Sequence, residues 1–371
     1  MKATTLALAV FCGSTSATIL GNDALAAQAL AKLSLNVAQH GYPDAGKCTL
    51  KNVAVRQEWS TLSESQKLNY IDAVKCLGKK PAKTPAAIAS GARSRFDDFI
   101  VTHILQTMSI HGTVPYEQAL RNECGYNGYL PYNNWSKWAK DPLASPLFDG
   151  SKTSISGDGE YVAGRGSWCL PNEVRCMVTF HSANGGGCIK SGPFKDWKIN
   201  LGPIQTTAKD VPPNPQADGL GYNPRCLSRD INTQASNETR DEMVFDLITN
   251  YPDILSFQNK MQNFTLGVMG VHNGGHYTIG GDSGMDMFNS PADPSFYFHH
   301  AMIDRVWWTW QALDLRIRPN TIAGTMTFLN NPPSRNATLD DVLSVGYVGE
   351  PNITIKDAQS TIAGPFCYVY A

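Results

Sequence analysis

Six of the eight histidines fall in three short phrases, FDDFIVTHILQTMSIHG, VHNGGH and DPSFYFHHAMIDRVWW. They are His103 and His111, His272 and His276, and His299 and His300. Neutral imidazole serves both copper and zinc, and histidines clustered at such spacing are how proteins hold either metal. His40 and His181 stand in isolated contexts and read as surface histidines.

His272 and His276 are four residues apart, so on a helix their rings project from one side. Asn273 follows the first. The phrase is therefore not the H-E-x-x-H of a zinc protease, which needs its Glu as general base. Gly274 and Gly275 each cost a helix about 1 kcal/mol, so close packing or a bound metal must hold this turn. His299 and His300 lie about equally far from the centre of an apolar face, and periodicity does not choose between them. His103 shares a face with Phe96, Phe99 and Ile100 and should point inward. Taken alone, it reads as a core histidine. His111 lies near the end of the same helix, before Gly112 and Pro115.

The elements that must carry these residues are mainly helical. Ala24 to Val37 is alanine-rich, and Ser63 to Leu77 has apolar residues at helical spacing, with Ser63 and Gln66 as a capping box and Gly78 as a stop. Ala92 to Met108 predicts the next helix. Helical spacing returns at Phe257, Met261, Phe264 and Val268, leading to His272. Asp293-Pro294 predicts a helix start, Asp as N-cap and Pro in the first turn. Phe296, Ile303, Trp307 and Trp310 then line one face. Residues 151–192, rich in glycine, serine and cysteine, read as a long loop pinned by disulfides. Residues 319–371 carry turns and short strand-like runs. The fold class is mainly α: a helical bundle with metal ligands facing inward, long disulfide-pinned loops and few short strands.

A net charge of -1 leaves no electrostatic footprint for nucleic acid. Residues 1–17 have the layout of a secretory signal peptide, Lys2 preceding an apolar run too short to span a bilayer. No later stretch is apolar enough for a membrane anchor. Beyond Cys12 the eight cysteines Cys48, Cys76, Cys124, Cys169, Cys176, Cys188, Cys226 and Cys367 form an even set, which favours disulfides in a secreted chain. Their pairing is not readable from sequence. Sequons at Asn134, Asn237, Asn263, Asn336 and Asn352 fit a secreted glycoprotein, although Asn134 and Asn263 lie in apolar surroundings.

Together the clusters resemble those of the tyrosinase, catechol oxidase and haemocyanin family of binuclear copper proteins, and above all its short secreted fungal forms. The likeness runs from about Cys48 to the C-terminus, through VRQEWSTLSESQKLNYIDAVKCL, FDDFIVTHI, YEQALRNECGY, VHNGGH and DPSFYFHHAMIDRVWWTWQ. Tyr368-Val369-Tyr370 matches the Y-x-Y phrase that closes the family's catalytic domain, so residues 18–371 would form one copper domain without a C-terminal shielding domain. The resemblance implies two coppers with three histidines each, and dioxygen bound between them. His272, His276 and His300 would hold the second copper, the family motif using the second histidine of the pair. His103 and His111 match the first two ligands of the other.

The third ligand of that first site has no counterpart. Relatives carry a phrase like F-L-P-W-H-R before the Y-E-Q-A-L helix, but here HGTV joins PYEQALR directly. The lost phrase also supplies an Arg that pairs with the residue matching Asp304. A gene-model fault and a genuine relative with one intact site both account for the gap. Ser109 excludes the Cys-His thioether of some relatives. Gln262 stands where many tyrosinases have a Glu that orients water, and Asn273 is a feature linked with monophenol hydroxylation. The family's P-Y-W-D-W reads Pro131-Tyr132-Asn133-Asn134-Trp135. The implied activity is copper-dependent oxidation of o-diphenols, with monophenols open, to o-quinones by dioxygen. The implied partners are a small phenol and dioxygen, with no nucleic acid and no membrane. A non-catalytic relative with a single metal, a dioxygen carrier and a purely structural protein are the competing readings.

Overall fold

The computed structural model describes residues 19–108, 115–172, 174–205, 211–262, 267–349 and 351–371. The expected signal peptide, His111, Ser109 and the sequon Asn263 fall outside these. Among the described residues there are eight helices of nine residues or more. They are α1 (Gly21–His40), α2 (Glu64–Lys79), α3 (Arg95–Gln106), α4 (Pro115–Cys124), α5 (Asp241–Asn250), α6 (Ile254–Gln262), α7 (Gly270–Ile279) and α8 (Phe296–Leu313). Strands are short and occur only as two-stranded pairs.

Local chemistry explains most boundaries. Ser63 caps α2 with the expected capping box, and Ser94 with Asp97 does the same for α3. Gly78 does not stop α2, which continues to Lys79 and ends before Pro81, a residue that cannot extend a helix. Helix α8 begins two residues beyond Pro294, the expected first helical position. Asp293 is extended and its carboxylate accepts from Ser295 N and Oγ as a cap does, while Arg229 holds the same carboxylate at 2.7 and 2.8 Å and regular helix begins at Phe296. Of the apolar residues spaced before His272, Phe257 and Met261 lie on α6, Val268 precedes α7, and Phe264 falls outside the described residues. Gly270 starts α7 at φ +75°, where its lack of a side chain lets it pass the Met261 carbonyl. The segment 151–192 contains two antiparallel pairings, Ser167–Pro171 with Cys176–His181 and Gly159–Tyr161 with Gly186–Ile189.

Four disulfides pair all eight cysteines: Cys48–Cys367, Cys76–Cys124, Cys169–Cys176 and Cys188–Cys226. The second ties α2 to α4, and the last two pin the 151–192 region as expected.

Helix α8 is shared between two apolar cores. Phe296, Tyr297 and Phe298 pack with the buried faces of α2, α3 and α4. Ala301, Met302, Val306, Trp308 and Trp310 pack with α1, α5 and the C-terminal strand. Trp307 and Ile303, expected inside, are only half-buried, whereas Trp308 is fully buried. A helix surrounded on nearly all sides has no single apolar face for periodicity to find.

The C-terminal strand Tyr368–Tyr370 runs parallel to Ala54–Arg56 and places two phenols against α8. Tyr368 Oη donates to Asp304 at 2.8 Å, and Tyr370 Oη lies within hydrogen-bond distance of the same carboxylate and of the Ala301 carbonyl. Arg56 completes the cluster, 2.8 Å from Glu117 on α4, 3.2 Å from Asp304 on α8, and 3.6 Å above the Tyr368 ring. Asp304 therefore takes its arginine from the start of the chain. Removing one member of such a pair strands the other in a poor solvent for charge. Arg56→Met should cost about 3–5 kcal/mol, read as a lowered denaturation midpoint with disulfides intact; a midpoint equal to wild type would show the cluster to be dispensable.

Candidate metal centre

Helices α7, α8 and α3 meet where the histidine phrases predicted. His272 and His276 lie one turn apart on α7 with their Nε2 atoms 3.2 Å apart, and His300 on α8 brings its Nε2 to 3.1 Å from that of His276. His299 joins them in a group whose candidate ligand atoms all lie within 4.8 Å of one another. A shared proton bridges only two nitrogens, whereas one transition-metal ion meets three lone pairs at once. The group holds no carboxylate or thiolate, and an all-imidazole donor set fits copper.

The two histidines of the adjacent pair differ in chemistry. The Trp135 indole, which has only a donor, gives its N–H to His299 Nδ1 at 3.0 Å. The lone pair of neutral His299 is therefore at Nδ1, taken up by the indole, and its proton is at Nε2. His300 instead lies half-buried, its ring stacked on Phe296 with centroids 4.0 Å apart and its Nε2 directed at His276. Trp135 thus gives different surroundings to two histidines that helical periodicity did not tell apart.

His103 on α3 is buried, 8% exposed, and edge-on to Phe296. Its Nδ1 sits 2.9 Å from the Phe288 carbonyl, which fixes the proton there and presents Nε2 as the acceptor. It stands outside the four-histidine group, though near enough to depress the basicity of His276 and His300. His111, the other expected ligand of that site, lies outside the described residues.

Asn273 reaches back to the Met269 carbonyl at 2.9 Å and to the Gln262 carbonyl, tying α7 to the end of α6. Gln262 is exposed and meets Asn273 through its backbone. Asp304 lies in the Arg56 cluster, one turn beyond His300. Phe288, whose carbonyl orients His103, and Trp135, whose indole orients His299, went unnoticed in the sequence. Nothing in their own phrases marks a contact made across the fold, although Trp135 closes the altered P-Y-W-D-W phrase.

Burial, followed by the neighbouring imidazoles, pushes the pKa of His276, His299 and His300 well below that of free histidine. The folded protein keeps them neutral, while the unfolded chain takes up protons below about pH 6.5. The unfolded state thus binds more protons under mild acid, and stability falls as pH falls through that value. The metal-free protein should lose thermal stability from pH 7.5 to 5.5, with a shallower slope in His276→Gln; parallel slopes would mean that His276 titrates normally.

Residues 93–313 match the common central domain of tyrosinase. The chain is 43% identical over 313 residues to tyrosinase-like protein orsC of Emericella nidulans, covering 79% of this chain and 83% of that one. It is 38% identical over 329 residues to tyrosinase P of Aspergillus terreus, covering 85% and 91%. A solved structure of a polyphenol oxidase mutant from Thermothelomyces thermophila superposes with a TM-score of 0.87 at 40% identity, covering 95% of this chain and 98% of that one. A helix-rich fold, a convergent imidazole group and these similarities lead to one assignment: the chain belongs to the tyrosinase family of copper-dependent, phenol-oxidising enzymes.

Proposed function

We propose that this oxidase converts o-diphenols to o-quinones, two diphenols giving up four electrons and four protons to one dioxygen to form two waters. The observation that carries this reading is the meeting of three imidazole Nε2 atoms from α7 and α8 at 3.1 and 3.2 Å. His272, His276 and His300 would hold one copper, and His103 with His111 would contribute to a second. When bound, copper supplies the redox centre through which electrons pass from phenol to dioxygen. The chain's own residues supply geometry: Phe288 orients His103, Phe296 lies under His300, and Asn273 anchors the start of α7. No protein nucleophile is needed.

The chain's setting follows from its covalent chemistry. Four disulfides suit an oxidising compartment and favour secretion. Among the sequons, Asn237, Asn336 and Asn352 are exposed, whereas Asn134 is fully buried and hydrogen-bonded to Asp23 at 2.9 Å. Glycopeptide mapping of protein from a fungal host should find sugar at one or more of the exposed three and none at Asn134; sugar on Asn134 would contradict this packing.

The deciding experiment loads the full chain with excess copper, counts copper per chain, and follows catechol oxidation with an oxygen electrode. About two coppers with quinone formation supports the oxidase, and His276→Ala should then lose more than the roughly 10–100-fold that removal of an outer partner costs a metal site. One copper and no quinone would make the chain a single-site, non-catalytic relative.

A further inference from the structure

The turn His272-Asn273-Gly274-Gly275-His276 owes its shape to residues outside it. A Cβ on Gly274 would lie 2.5 Å from that of Glu238, and a Cβ on Gly275 would lie 2.1 Å from His299 Cε1. The two glycines, poor helix formers, are where α7 is pressed against its neighbours, and the second leaves room for an imidazole ring.

That ring has little freedom. His299 is 2% exposed, and Trp135, 164 residues earlier in the chain, donates to its Nδ1. Its plane lies within 9° of the His272 ring at 5.7 Å between centroids, and it stands edge-on to His276 at 4.5 Å. It lies beside both α7 imidazoles. Rotating or withdrawing it would open space under the very turn whose two Nε2 atoms must converge.

We propose that His299, locked by Trp135 and seated against Gly275, is a positioning residue that sets the aim of the His272 and His276 imidazoles and is not itself a metal ligand. The inference rests on the copper reading above. Metal sites are sensitive to such supports, since loss of an outer partner commonly costs 10–100-fold in affinity. Trp135→Phe keeps most of the packing but removes the donor. His299→Gln keeps an amide oxygen able to accept from Trp135, and His299→Ala keeps nothing.

The test is equilibrium dialysis of the full-length variants against Cu(II) alone, with electron paramagnetic resonance of the bound ion and a thermal melt. Trp135→Phe and His299→Ala should bind Cu(II) about tenfold or more weakly with altered copper hyperfine splitting, yet fill the site at saturation. His299→Gln should recover part of the affinity. Two results would overturn the proposal. Unchanged spectra, with affinity within about twofold of wild type, would leave His299 a packing residue whatever the melts show. Loss as complete as in His276→Ala would make it a ligand. Should Trp135→Phe not fold, the contrast between His299→Gln and His299→Ala decides alone. Equal Cu(II) binding by wild type and His276→Ala would instead refute the copper site itself, and with it any role for His299 in aiming its ligands.

Discussion

Three imidazole nitrogens, the middle one 3.1 and 3.2 Å from the other two, are an unfavourable arrangement unless something positive sits between them. The surrounding chain is organised to enforce that arrangement. Two helices approach so closely that one of them carries glycine where they touch, and the approach is filled by an aromatic ring whose orientation is fixed from a distant loop. Burial keeps the rings neutral, which preserves the lone pairs that a copper ion needs.

Rigidity at this point comes from α8 belonging to two cores at once. Its first turn is embedded among α2, α3 and α4, its later turns among α1, α5 and the C-terminal strand. His299 and His300 sit at the junction, so movement of either core is felt there. Polar contacts fasten the same helix on two further sides. Arg305 binds Asn22 and Asp23 at the start of α1, and Asp304 binds Arg56 and the paired tyrosines.

Much of this was legible in the sequence where the signal is local. The i, i+4 spacing of His272 and His276, the capping box at Ser63 and the inward face of His103 depend on neighbours a turn away. The family likeness added the choice of His300, which periodicity did not make because α8 is buried on nearly all sides. What stayed hidden depends on contacts across the fold. Arg229 reaches the Asp293 carboxylate from far along the chain, Gly78 looks like a stop but lies inside its helix, and disulfide partners separated by 319 residues leave no local trace. The glycine pair was readable only as a demand for close packing; that the packed object is a histidine required the three-dimensional arrangement.

The bond between Cys48 and Cys367 turns most of the polypeptide into a covalent ring that encloses every helix of the metal centre. A single cut in an exposed turn, such as the glycine-bearing bend at 164–166, therefore linearises the ring without dividing it. Both sides of the break stay tethered through the strand that holds Asp304. A nicked molecule of this kind would run as two pieces only after reduction, and until then the entropy that normally separates fragments could not pull the histidine-bearing helices apart.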